Sequence, residues 1–200
     1  MKRILKSRLI LILATIVFVS CKSNSNIVDS KTTTNSKKTL EKPYVILISL
    51  DGFRWDYVET YKPKHLSNFI KNGVKAESLI PSFPSKTFPN HYTIATGLYP
   101  DKHGIIGNSF YSNKKKTIYS IRDRETVEDG SFYGGTPIWL EADKANMVSA
   151  SFFFVGTEAD IKGKHPTYYK TYDSKIRNEN RVSQAIEWLK LPELKLSLIH

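Results

Sequence analysis

Two oxygen-bearing side chains, Asp51 and Thr87, stand where chemistry is easiest to build. Tyr44–Leu50 (YVILISL) is an aliphatic, largely β-branched run that ends at Asp51-Gly52. Such a run predicts a strand buried on both faces, and in open α/β sheets ligands collect at the carboxyl ends of strands. A carboxylate there is a hard oxygen ligand for a divalent cation. Asp-Gly is also a common turn dipeptide, so Asp51 taken alone reads more readily as a turn residue. Thr87 lies in Pro81–Gly107 (PSFPSKTFPNHYTIATGLYPDKHGIIG), in a loop just ahead of a candidate helix. The N–H groups and dipole of a helix start favour an anion such as phosphate. A threonine hydroxyl is a poor nucleophile until deprotonated, and direct metal coordination is one way to achieve that. Taken singly, a threonine in this position is more often a helix cap or an exposed loop residue.

The elements that must hold these two residues alternate. Strands are expected at Tyr44–Leu50, Val74–Ile80 and Val148–Val155 (VSASFFFV), and helices at His65–Asn72, Asn90–Gly97 and Arg181–Leu189. Thr136–Ala145 (TPIWLEADKA) reads as a further helix, with Thr136 as cap and Pro137 in its first turn. Ser109–Arg122 reads as a hairpin with Lys114–Lys116 at its solvated tip. Strands alternating with helices predict an α/β fold with a mainly parallel sheet flanked by helices. No internal repeat is present. Trp139, Trp188 and Phe152–Phe154 are expected in the core, His65 on a helix surface and His165 in a loop.

The net charge of +11 suggests nucleic acid until its distribution is considered. Residues 1–42 hold nine of the 30 Lys/Arg and two of the 19 Asp/Glu, leaving 21 basic against 17 acidic groups in the rest. The excess belongs to the leader, so nucleic acid is not expected as the primary partner. Met1–Arg8 is a basic n-region, and Leu9–Val19 (LILILATIVFV) is apolar except for Thr15. Eleven residues cannot span a bilayer, which needs roughly 20, but they suit a signal peptide. Ser20 precedes Cys21, the chain's only cysteine, in a near match to a bacterial lipobox that departs from it at Phe18. The expected organisation is a signal peptide at 1–20, a lipidated Cys21 opening a flexible tether at 21–42, and a folded domain from residue 43 to 200. The Ser/Thr/Asn/Lys-rich tether lacks the apolar surface needed to offset ordering entropy. Export follows, with lipid anchoring to the cell envelope on its periplasmic or cell-surface side.

Several segments together carry a resemblance: Ile48–Phe53 (ISLDGF), Phe83–Asn90 (FPSKTFPN), His91–Gly104 (HYTIATGLYPDKHG), Gly107–Asn108, Thr136–Trp139 (TPIW) and Val155–Ile161 (VGTEADI). In this order, they resemble the opening motifs of the nucleotide pyrophosphatase/phosphodiesterases, of the alkaline phosphatase superfamily. The resemblance runs from about Tyr44 onward. It implies that Asp51 is a metal ligand, Thr87 the metal-contacting nucleophile, and Asn108 a donor to a phosphoryl oxygen. It also implies that Phe88 packs on a nucleobase, with Tyr169 or Tyr172 as the opposing ring. His91 and His103 are not implied as ligands and are read as structural hydrogen-bonding residues.

The resemblance further implies an alkaline phosphatase-like fold and two zinc ions about 4 Å apart, suited to in-line displacement at phosphorus. Hydrolysis of nucleotide phosphodiester or pyrophosphate bonds would pass through a phosphothreonine. A two-zinc site needs about six protein ligands. The resemblance assigns only Asp51 and Thr87 here and places two aspartates and three histidines in later motifs. The chain is therefore expected to be incomplete at its C-terminus and inactive alone. Two rivals stand beside this reading. One is a phosphate monoesterase of the same superfamily, with Lys170 gripping phosphate. The other is a non-catalytic, surface-anchored binding protein. Sulfatases are disfavoured by a threonine at the nucleophile position.

Overall fold

The computed structural model describes residues 34, 35 and 37–192, and residues 194–199 as backbone. The expected signal peptide, Cys21 and the expected tether up to residue 33 lie outside the described residues. Where description begins, the expected tether already meets the domain. Lys37–Leu40 forms one helical turn (α1) with Thr39 buried, and Asn35 Oδ1 accepts the Val148 N–H at 2.7 Å. No described helix is long and apolar enough to cross a membrane.

Four strands make a parallel sheet in the order β1 (Val45–Ile48), β6 (Leu194–Ile199), β4 (Val148–Phe152), β5 (Tyr168–Lys170). Parallel neighbours require crossovers; β4 and β5 are joined without a helix, and the helices of the other connections are α2 (Tyr57–Tyr61), α3 (Lys64–Lys71), α4 (Thr87–Thr96), α5 (Pro100–His103), α6 (Arg124–Glu128), α7 (Ile138–Lys144) and α8 (Asn178–Leu189). β2 (Ser109–Ser112) and β3 (Thr117–Ser120) form the expected antiparallel hairpin. The α/β class with a parallel sheet is as expected.

Three local expectations change. Val74–Ile80 forms no strand; Val74 is fully exposed and Ile80 nearly so. Apolar residues favour a strand only where a partner edge accepts their hydrogen bonds, and this segment pairs with no described strand. The strand at Val148 stops at Phe152, because Phe153 turns to φ +62° and leaves the extended region. α7 opens at Ile138 with Pro137 as its N-cap, one place later than read from Thr136-Pro137.

The core has two clusters. The larger gathers Tyr92, Ile105, Tyr119, Trp139 and Phe154 around α4 and α7. The smaller packs Val148, Ala150 and Phe152 of β4 against Trp188 of α8. Gly156 lets the larger cluster close. It sits at φ +87°, and a Cβ there would stand 3.0 Å from the Tyr92 ring.

Candidate active site

Thr87 is the first residue of α4, with Lys86 as N-cap; the helix starts three residues earlier than expected, and Thr87 is not in a loop. Pro89 suits a first turn, where its missing N–H has no helical partner to lose. Asn90, one turn in, holds the approach to Thr87. Its Oδ1 accepts from Ser82 N (2.7 Å) and Ser82 Oγ (3.2 Å), while Nδ2 donates to Pro84 O (3.1 Å) and Lys86 O (2.9 Å). Sequence reasoning passed over Asn90. The helix read from the sequence opened at Asn90, where asparagine is a favoured cap, so nothing there set it apart.

The helix is seated in the core by buried residues. Tyr92 is fully buried and its hydroxyl donates to Gly134 O at 3.0 Å. His91 Nδ1 lies 2.7 Å from the Thr87 carbonyl oxygen, so it braces the backbone and not the hydroxyl. His103, fully buried, has Nε2 3.0 Å from Thr93 Oγ1 and accepts the Ile105 N–H at Nδ1 (3.2 Å). Each makes the hydrogen bonds expected from the sequence, and His91 also lines the cleft described below.

Across from the helix start, Asp51 follows β1 by three residues, exposed, beside Gly52 at φ +67°. Thr87 Oγ1 donates to Asp51 Oδ2 at 3.1 Å. Both line a cleft of about 600 Å³ that also takes in Lys86, Asn90 and Arg54. On another side of Thr87, Phe88 N donates to Asn108 Oδ1 at 3.0 Å. That bond orients the Asn108 amide, leaving its NH₂ end for an acceptor such as a phosphoryl oxygen. It also thins the backbone cradle expected at the helix start. Pro89 has no N–H, Phe88 is engaged, and Thr87 N–H is the free first-turn donor among the described residues.

The spacing of the two oxygens suits a divalent metal. Two oxygens on one tetrahedral zinc at about 2.0–2.2 Å would stand roughly 3.3–3.6 Å apart, close to the 3.1 Å between Thr87 and Asp51. The pair fits as two ligands of one ion. No cluster of three or more His, Cys, Asp or Glu suited to a metal occurs among the described residues.

The aromatic candidates separate. Phe88 is half-buried and leans on the larger core, its ring 6.4 Å from that of Tyr119. Tyr169, within β5, stacks flat on His165 at 4.6 Å. Tyr172 is exposed past the end of β5, edge-on to Phe153 at 5.1 Å. The structure joins Asp51 to Thr87 and Phe88 to Asn108; neither tyrosine lines the Asp51–Thr87 cleft.

The profile of the type I phosphodiesterase / nucleotide pyrophosphatase family matches residues 45–198. The chain belongs to that family. Among its type I phosphodiesterase relatives, human ectonucleotide pyrophosphatase/phosphodiesterase family member 1 is 39% identical over 155 residues, covering 76% of this chain and 17% of the relative. The venom phosphodiesterase of Crotalus durissus collilineatus is 39% identical over 157 residues, covering 78% and 19% respectively. The chain thus spans less than a fifth of these curated relatives. Murine ectonucleotide pyrophosphatase/phosphodiesterase 5, solved as an inactive threonine-to-alanine variant with AMP, superposes with TM-score 0.75 at 32% identity, covering 79% of this chain and 42% of its own.

Proposed function

We propose that this chain carries the nucleophile-bearing part of an exported phosphodiesterase/nucleotide pyrophosphatase, in which Thr87 attacks the phosphorus of a nucleotide diester. The observation that carries the reading is the 3.1 Å contact between the Thr87 hydroxyl and Asp51 at the start of α4. In this reading the Thr87 oxygen forms a bond to phosphorus, the leaving group departs with its electron pair, and the phosphothreonine is hydrolysed by water. Asp51 holds and orients the hydroxyl, and the Asn108 NH₂ donates to the phosphoryl oxygen as negative charge builds there. Asp51 and Thr87 would hold one of two zinc ions, which when bound favour the alkoxide form of Thr87 and neutralise phosphoryl charge. The resemblance assigns the remaining ligands to other motifs of the family. Phe88 would stack on the base, and Tyr172 is the better opposing ring, because Tyr169 already has a face covered by His165. The AMP carried by the murine relative supports a nucleotide substrate.

Export and anchoring through Cys21 belong to the same reading: relatives named as ecto- and venom enzymes support export, and the lipobox-like Ser20-Cys21 supports the anchor. The test uses the protein as its own cells make it. The envelope-extracted form should carry diacylglycerol on Cys21 by intact mass, and the complete enzyme should turn over a chromogenic nucleotide diester faster than a chromogenic monoester. Thr87→Ala should abolish diester turnover with the fold intact. Appreciable turnover by that variant would remove Thr87 as nucleophile.

A further inference from the structure

Polar side chains behind Thr87 touch in series, and counting protons assigns the donor at each contact. Asn90 fixes one end. Its Nδ2 faces two carbonyl oxygens, Pro84 O at 3.1 Å and Lys86 O at 2.9 Å, and carbonyls only accept. Its Oδ1 is therefore the acceptor for Ser82 N (2.7 Å) and Ser82 Oγ (3.2 Å). The single Ser82 hydroxyl proton is spent there. Ser82 Oγ also lies 3.3 Å from Thr93 Oγ1, so in that contact Thr93 donates. The Thr93 proton is spent in turn, and His103 Nε2, 3.0 Å from Thr93 Oγ1, is left as the donor to it.

The far end gives the same answer independently. His103 closes α5 with no exposure, and its Nδ1 accepts the Ile105 N–H at 3.2 Å. A neutral ring so placed carries its proton on Nε2. The Pro89 carbonyl, a second partner of the ring, likewise needs a donor. Donation thus runs one way, from His103 through Thr93 and Ser82 to Asn90, and on to the carbonyl of Lys86, the residue before Thr87. Ser82, Asn90 and Thr93 all line the Asp51–Thr87 cleft. The Ser82–Lys86 stretch lies outside any helix or strand, so these bonds stand in for the ladder that would otherwise hold it. A network in which every proton is used resists rearrangement, because turning one bond round leaves two donors facing each other.

We propose that His103, Thr93 and Ser82 are positioning residues for the nucleophile, acting through Asn90 and the Lys86 backbone on Thr87. This rests on the reading of Thr87 given above. Among the described residues no hydrogen bond joins any of the three to Thr87, so they act at one remove. A displacement of about 1 Å at a reacting group costs up to about 100-fold in rate, and loss of one indirect link is expected to cost about tenfold. Substrate contacts are untouched, so the loss should fall on kcat and leave KM within about twofold.

Two measurements test this. In the complete enzyme with a chromogenic nucleotide diester, Thr93→Val keeps the shape and removes the hydroxyl; kcat should fall about tenfold with KM little changed. Thr93→Ser restores the hydroxyl and should recover most of the loss, which a role in packing alone would not do. Should Thr93→Val fail to fold, Ser82→Ala breaks the series one link on while keeping the Ser82 N–H bond, and the same fall in kcat is expected. In the 200-residue chain, imidazole nitrogen shifts of His103 near neutral pH should show the Nε2–H tautomer. An Nδ1–H tautomer overturns the direction of the network and the proposal with it. Unchanged kcat in both Thr93→Val and Ser82→Ala overturns the positioning role while the reading of Thr87 stands. A loss in Thr93→Ser as large as in Thr93→Val assigns the effect to the methyl group and also overturns it. Retained turnover in Thr87→Ala overturns the nucleophile reading and removes the basis of the proposal.

Discussion

β1 (VILI) and β4 (VSASF) are both short parallel strands, and both pair with β6, yet their surroundings are opposite. Val148 and Ala150 of β4 have no exposure and Phe152 has 2%, whereas Val45 is 48% and Ile48 61% exposed. β4 is covered on both faces, by Trp188 of α8 and by residues of the larger core beyond it. Of β1, Leu47 alone packs against a core cluster. Burial is thus a property of what lies against a strand and not of the strand's composition. The consequence reaches the site. Thr87 rides on a helix locked into the core through Tyr92, while Asp51 hangs from the thinly covered strand, so the contact between them joins a rigid support to a weak one.

A matched pair of substitutions measures this asymmetry. Val148→Ala should cost about 2–3 kcal/mol, the range for removing buried methyl groups with partial collapse. Val45→Ala should cost about 1 kcal/mol or less, because half of that side chain is already in water. Urea unfolding followed by circular dichroism gives both values. Equal costs would mean that β1 is covered in solution as well as β4 is, and the comparison would fail.

Asn90 sharpens the contrast from the supported side. Asn90→Ala removes four hydrogen bonds that hold Ser82, Pro84 and Lys86 ahead of Thr87. A loss of about 1–2 kcal/mol is expected, since the freed groups are only partly buried and water replaces some bonds. Diester turnover should fall with it, as the nucleophile loses its fixed approach. Unchanged turnover would show that α4 alone places Thr87.

The smallest effect is the pH dependence of the same support. His103 is buried and its Nδ1 accepts a backbone N–H, so the neutral ring is favoured and burial holds its pKa below the ordinary histidine value. An unfolded histidine takes up a proton near pH 6.5. On acidification the unfolded chain therefore binds the proton first. Stability is full above about 6.5 and is lost as pH falls from there towards the lowered folded value. Urea midpoints at pH 7.5 should exceed those at pH 5.5, with a shallower difference in His103→Gln. Parallel slopes for the two proteins would remove His103 as the titrating group.

Sequence by itself determined the family through ordered motifs around Asp51, Thr87 and Asn108, and the α/β class through alternating apolar periods. Those conclusions rest on residue type and short spacing, which any fold of the chain must preserve. Tertiary structure alone decided that Val74–Ile80 is no strand, because a strand exists only against an edge that accepts its hydrogen bonds. It alone showed that Phe88 N–H is spent on Asn108, since that bond spans 20 residues. Between Tyr169 and Tyr172 composition is silent. Their difference lies in what covers each ring, a stacked His165 for one and an edge-on Phe153 for the other, and such contacts between distant segments are set by packing.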